Sequence, residues 1–243
     1  MKTETIATFG FGSVDQPAPA AFPLWHTAGL LAMLAALVGL SMRMHNAGGA
    51  TGGAHRIVGY AIILVAEWAM AGWIAWDCNR QRQSVKSLLG NFESGWRTIL
   101  RDAGLAVGFL VVANVLLSLV RQLFPAAPSE GIKNLLPQTG LETAIFLGLS
   151  VTAAICEELI YRGYLQRQFT AWTGSVAAAI VLQGAVFGLS HAYQGWAQVI
   201  TIAVYGCLFG LFALWRKSLR PGMLAHFLQD GIGGLMLARM LVK

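Results

Sequence analysis

Residues 141–165 read LETAIFLGLSVTAAICEELIYRGYL, an apolar stretch long enough to cross a bilayer as one helix and interrupted near its end by Glu157, Glu158 and Arg162. Comparable apolar runs lie on both sides of it, at 22–42, 57–76 and 103–124 before it and at 174–190, 196–215 and 223–242 after it. At about 1.5 Å rise per residue, run 22–42 alone covers roughly 30 Å. No polar stretch between the runs is long enough for a soluble domain. The composition agrees: of 243 residues 17 are Lys or Arg and 11 are Asp or Glu, so 12% are charged and 56% hydrophobic, with a mean hydropathy of +0.60. An average soluble domain carries roughly a quarter charged residues. A disordered chain and an ordinary soluble fold are both excluded.

The fold expected is all-α, a polytopic integral membrane bundle of seven or eight transmembrane helices. Its parts are a flexible cytoplasmic lead (1–21), amino-terminal helices (22–140) and motif-bearing helices of the same bundle (141–243). The lead lacks the charged-then-apolar order of a cleavable signal peptide. The connection 77–102 is polar and basic, with Leu88, Leu89, Phe92 and Trp96 at near-helical spacing, and is expected to include an interfacial amphipathic helix. Lys and Arg divide about two to one between alternate sides, which puts the amino terminus in the cytoplasm of a cell (inner) membrane and, with seven spans, the carboxyl terminus outside. The net charge of +6 thus reads as a membrane face, and no nucleic-acid motif accompanies it. The pairs Gly104/Gly108, Gly184/Gly188 and Gly206/Gly210 are expected at helix contacts. Cys78, Cys156 and Cys207 fit neither a disulfide framework nor a thiolate site and read as packing residues. Oligomeric state is not legible.

Each ionisable group within a span costs about 2.5–3.5 kcal/mol on the insertion scale and calls for a reason. Glu67, Glu157, Glu158, Arg162, His191, His226 and Asp230 are such groups, while His26, Arg121, Glu142 and Arg239 lie near enough to span ends to snorkel. Glu158 and Arg162, four apart, share a helix face and can pair. Glu157 is turned about 100° from Glu158 and is left to meet another neighbour. His226 and Asp230, also four apart, suit a metal, a proton relay or an oriented hydrogen-bond pair. Glu67 is expected to make a helix-packing hydrogen bond, with a role in substrate entry as the alternative. Converging in one pocket, these groups suit intramembrane hydrolysis: a carboxylate beside an imidazole takes a proton from water, and a second imidazole donates to the oxyanion. Straight helices starting at 174 and 223 would leave His191 roughly 25 Å deep and His226 about 5 Å deep. Convergence therefore requires a last helix starting nearer Lys217, a longer reentry over 169–175, or strong tilt.

The motifs Glu157-Glu158-x-x-x-Arg162, Phe187-x-x-x-His191 and His226-x-x-x-Asp230, with Arg162-Gly163-Tyr164-Leu165 after the first, resemble the three ordered motifs of the CPBP family, the CAAX-protease and bacteriocin-processing (Abi) intramembrane proteases. The resemblance covers roughly residues 141–240. It implies a glutamic-type endopeptidase in which Glu157 and His191 activate water, His226 and Asp230 form or orient the oxyanion site, and Glu158 and Arg162 support them. In the prenyl-protein branch the last position is Asn; an ionised Asp230 accepts hydrogen bonds and cannot donate one to an oxyanion. No cofactor is favoured. Zinc is the alternative, since Glu157, His191, His226 and Asp230 are all acceptable ligands. The expected partners are a membrane-associated protein or peptide substrate and the lipid bilayer. The competing readings are a noncatalytic membrane chaperone or immunity protein and a proton-coupled transporter using Glu67 and the late polar cluster.

Overall fold

The computed structural model describes residues 22–46, 53–125 and 130–241, and every regular element in them is a helix. The expected lead (1–21) lies outside the described residues, as do parts of the loops after the first and third runs and the last residue of the run 223–242. Helices α1 (Leu24–Asn46) and α2 (Gly53–Arg80) form an antiparallel pair; α3 (Val85–Leu89) is a single short turn, followed by α4 (Trp96–Leu123) and the short α5 (Glu130–Leu135). Helix α6 (Gly140–Glu157) continues through a π-helical stretch (Glu158–Leu165) into α7 (Gln166–Thr173). Helices α8 (Val176–Leu189) and α9 (Trp196–Arg216) follow, and a last rod comprises α10 (Arg220–Phe227), a second π stretch (Leu228–Gly233) and α11 (Gly234–Leu241).

Five of these rods, Leu24–Met44, Gly53–Arg80, Trp96–Leu123, Gly140–Thr173 and Trp196–Arg216, are long and apolar enough to cross a membrane. The expected count was seven or eight. Two runs fall short for different reasons: α8 has only 14 residues, and the last rod carries His226, Gln229, Asp230 and three glycines in its middle. The protein is an integral membrane protein, and α4 shows why. Val107, Val111, Val112, Val115 and Leu119 on it are all more than half exposed, an apolar face that water would not tolerate and lipid would.

The connection expected at 77–102 is shorter than the sequence implied. Helix α2 runs on through Asp77 and Cys78 to Arg80, whose guanidinium lies 5.1 Å from the Trp76 ring centre, and α4 starts seven residues early, at Trp96. Between them stands only the five-residue α3, with Leu88 buried, and not a longer amphipathic helix. Its exit is tied to the start of the last rod: Gly90 bridges Ser218, and Leu219 N–H donates to Leu89 O at 2.9 Å. A Cβ at Gly90, where φ is +77°, would run into the Lys217 carbonyl. Asp102 on α4 is 1% exposed and holds Arg220 through Nε at 2.6 Å and Nη2 at 2.5 Å, anchoring α10 to α4.

Helix α6 begins with a capping box. Thr139 Oγ1 accepts from Glu142 N–H, and Glu142 Oε2 accepts from Thr139 N–H, both at 3.2 Å. Glu142 does not snorkel: it is 1% exposed and its Oε1 lies 3.1 Å from Arg56 Nε, which fastens α6 to α2. Gly174 (φ +66°) closes α7 and Ser175 caps α8, so the chain reverses in two residues. Helices α8 and α9 then cross closely, because a Cβ at Gly184 or Gly188 would strike the Ala203 and Cys207 region of α9. Gly206 and Gly210 sit in the same contact, against Phe187 and Gln183. Gly104 and Gly108, expected to pack likewise, face open space on α4.

His26 does not snorkel either. It is fully buried where α1 meets α2, with Nδ1 2.9 Å from Tyr164 Oη and 3.3 Å from Asp77 Oδ2, Nε2 bound to Trp73 O at 2.9 Å, and the ring stacked on Trp73. The core continues from there through Leu30, Ile74, Cys78, Cys156, Ile160 and Leu165, so two of the three cysteines pack as apolar residues.

Candidate active site

The first motif spans the junction of α6 and its π stretch. In a π turn the hydrogen bond reaches back five residues, as Gln166 N–H does to Tyr161 O, and the residues that follow are rotated relative to a regular helix. All eight residues of this stretch are buried. Glu158, 0% exposed, is engaged through Oε1 by Arg162 Nη1 at 3.0 Å and by His226 Nδ1 at 3.2 Å. Arg162 also donates to Gly206 O at 3.3 Å, and its guanidinium lies 4.5 Å from the ring centre of Phe187 and 4.9 Å from that of Phe209. This buried pair joins the first motif helix to α9 and α10 through a charge that is matched on the spot.

Glu157 faces elsewhere. Its Oε2 lies 3.5 Å from His226 Nε2 and makes no hydrogen bond. His226 is 5% exposed and presents Nε2 to Asp230 Oδ2 at 3.3 Å as well, while the Asp230 side chain is 42% exposed. Asp230 sits in the second π stretch, so both motif rods depart from α-geometry where they carry their acids. Gly222 makes the approach of α10 possible: a Cβ there would come within 3.0 Å of Glu158 Oε2.

His191 lies just beyond α8. Its Nδ1 is 2.8 Å from Phe187 O and 3.1 Å from Ser190 Oγ. A carbonyl only accepts, so Nδ1 carries the hydrogen and Nε2 keeps its lone pair. The Phe187 ring stands between the two histidines, 5.0 Å from His191 and 6.1 Å from His226. The depth conflict disappears through the hairpin. Glu157 is 16 residues before Thr173 and His191 15 residues after Val176, so both lie roughly 23 Å from the Gly174 turn. The last rod starts at Arg220, near the Lys217 expected, and His226 Nε2 lies 3.5 Å from Glu157 Oε2.

Glu157 and His191 line one cavity of about 180 Å³, walled by Leu34, Leu37, Ile63, Met70 and Tyr161 and extending toward Arg56 and Leu135. No hydrogen bond joins Glu157 to His191 among the described residues; they face the same space. Tyr193 and Glu67 also line it, and none of the three motifs includes them. Tyr193 lies against His191 with ring centres 6.2 Å apart, and burial pushes its phenol up to about 12, so it stays a neutral donor. Glu67, on α2, is 2% exposed and makes no hydrogen bond among the described residues, contrary to the packing bond expected of it. Its position inside an apolar span was a signal; its direction was not. As for zinc, no group of three or more His, Cys, Asp or Glu is placed to hold a metal ion among the described residues. The four-ligand arrangement is therefore not assembled by this geometry.

Comparison with known proteins bears on this same part of the chain. Residues 139–232 match the family model described as type II CAAX prenyl endopeptidase Rce1-like, from the Thr139 cap to just past Asp230. YpbD of Bacillus subtilis (strain 168), an uncharacterized protein, is 30% identical over 101 residues, 41% of this chain and 48% of that protein. The chain thus spans about half the length of that relative. No solved structure matches it. The segment that holds the motif residues from Glu157 to Asp230 is thus similar to the Rce1-like CAAX-protease family.

Proposed function

We propose that this chain is an intramembrane endopeptidase that hydrolyses a peptide bond in a membrane-associated protein or peptide. The observation that carries the reading is the unequal treatment of two adjacent acids. Glu158 has its charge matched by Arg162 at 3.0 Å, while Glu157 meets only His226 Nε2, at 3.5 Å and without a hydrogen bond, and lines a cavity that it shares with the free nitrogen of His191.

In this reading a water beside Glu157 and His191 gives one proton to Glu157 as its oxygen adds to the scissile carbonyl carbon, and the bare Nε2 of His191 is the site that relays this proton onward. The carbonyl π electrons move onto oxygen. His226, with Nδ1–H spent on Glu158, turns Nε2 toward the reacting centre; when protonated there it gives this one N–H to Asp230 Oδ2 at rest and to the oxyanion as it forms. Collapse breaks the C–N bond, and the proton held by Glu157 passes to the leaving nitrogen, yielding a carboxyl terminus and an amine. Arg162 acts through Glu158 by holding the His226 partner in place.

The test compares protein termini in membranes of cells carrying the wild type or Glu157→Gln. Termini that appear only with the wild type, and that take up one ¹⁸O when cleavage runs in H₂¹⁸O, support hydrolysis; identical termini in both would contradict it. A farnesylated CAAX peptide and its unmodified twin separate a prenyl substrate from an unmodified one. Treatment with a chelator leaves the rate unchanged in this reading, and loss restored by zinc would replace it with the metal version.

The bundle is proposed to cross the membrane with α8 and the last rod in addition to the five long helices, its basic end in the cytoplasm. The support is that Arg101, Arg216 and Arg220 gather round Asp102 at the end where the 90–91 loop meets Lys217.

A further inference from the structure

Glu67 is the acid that the proposed chemistry leaves over. It comes from α2, far in sequence from the three motifs, yet it is 2% exposed and lines the same cavity as Glu157 and His191. Its Oε2 and the Oε2 of Glu157 are both buried and both lack a hydrogen-bond partner. Glu157, His226 and Asp230 all lie within its electrostatic reach. Arg162 already serves Glu158, and no ion pair to Glu67 occurs among the described residues. A packing role would show a donor on the neighbouring helix. What Glu67 meets is the cavity.

We infer that Glu67 is a second catalytic acceptor of this site: with Glu157 it clamps the attacking water from two helices, each carboxyl oxygen taking one of the water's two O–H bonds. The inference rests on the endopeptidase reading above. A water has two hydrogens and two lone pairs. With a single acceptor it can swing about that one bond. With both hydrogens pinned, a lone pair is directed into the remaining space of the cavity, where the scissile carbonyl must lie. In the step itself the proton on the Glu157 side transfers to Glu157, while the hydrogen on the Glu67 side stays with the oxygen that adds to carbon. Glu67 thus neither gains nor loses a proton, and a carboxyl oxygen or an amide oxygen at this position does the same work.

The chemistry separates three variants. Glu67→Gln keeps an acceptor and should stay within about tenfold of wild type. Glu67→Met fills a similar volume without one and should lose about 100-fold in kcat with KM little changed, because the water and not the substrate is misplaced. Glu157→Gln loses the base and should be inactive. The readout is the accumulation of wild-type-dependent termini in membranes, then kcat and KM on synthetic peptides copying the cut site. Loss in Glu67→Met that Glu67→Gln largely restores, with melting temperatures alike, supports the clamp. Wild-type kcat in Glu67→Met beside an inactive Glu157→Gln overturns it and leaves the endopeptidase reading standing. Activity in Glu157→Gln removes both. A density map of the purified protein gives a second test, which does not depend on Glu67→Met folding. A solvent peak about 3 Å from both carboxyls supports the clamp, and Glu67 bonded instead to a protein donor overturns it.

Discussion

Two buried polar clusters lie in the same apolar bundle, and they are built to opposite specifications. At the basic end, His26, Asp77, Tyr164, Thr27 and Trp73 knit α1, α2 and the π stretch together: Tyr164 Oη meets both His26 Nδ1 and Thr27 Oγ1 at 2.9 Å, and Trp73 Nε1 returns a bond to His26 O at 3.0 Å. None of these side chains has a buried polar atom without a partner. In mid-bundle, Glu67, Glu157 and Glu158 each keep an Oε2 unpartnered, and two of the three line a cavity. Burying a polar group costs about 1–3 kcal/mol when its bond is left unmade. A bundle that satisfies one cluster completely and leaves the other open gives up stability at the cavity where the proposed chemistry would run. Burial of charge alone thus does not separate the two clusters, whereas unmet valence beside a cavity does.

Variants on either side of that contrast can break or sharpen it. Apart from Glu157 itself, the largest effect is expected at His191. His191→Ala should lower the cleavage rate about 10²–10⁴-fold with a melting temperature little changed, because its hydrogen bonds run only to Phe187 O and Ser190 Oγ next to it in the chain; a large fall in stability would move His191 to the structural side. His26→Ala should do the reverse, costing about 1–3 kcal/mol of stability by removing one partner each from Asp77, Tyr164 and the Trp73 carbonyl, while the rate per folded molecule measured below the transition holds. Asp230→Asn is expected to change the rate by less than about tenfold, since an amide oxygen can still orient His226; abolished cleavage would assign Asp230 a charge-dependent role. The smallest effect falls at Gly104. Gly104→Leu on the open face of α4 should shift stability by no more than about 0.5 kcal/mol, whereas Gly188→Leu in the α8–α9 contact should disrupt folding, as thermal melts of the pair will show.

The membrane bundle was legible because charge is scarce and the apolar runs are long, and the motif residues because each sits where a charge is costly. Helix ends were less so. Trp96 reads as part of an interfacial helix in the connection 77–102, yet it opens α4, with the Arg97 guanidinium 5.3 Å from its ring centre. His26 and Glu142 looked like snorkelling residues from their position near span ends. Their partners, Asp77 and Arg56, are 51 residues downstream and 86 upstream respectively, and no local pattern announces such pairs. The π stretches leave no trace in hydropathy, since the one extra residue per turn changes register and not composition. Glu67 was visible as a charge, but only the packing of α2 against the first motif shows that it opens on the cavity that Glu157 and His191 share.

The most direct test takes both properties from one variant. Purified Glu157→Gln, reconstituted beside the wild type, is measured for melting temperature and for cleavage of a peptide copying a wild-type-dependent cut site. An unpartnered carboxylate that serves chemistry and not the fold predicts a melting temperature equal to or above that of the wild type, with cleavage lower by at least about 100-fold. A variant that cuts at the wild-type rate, or that loses activity only because it unfolds, contradicts the account.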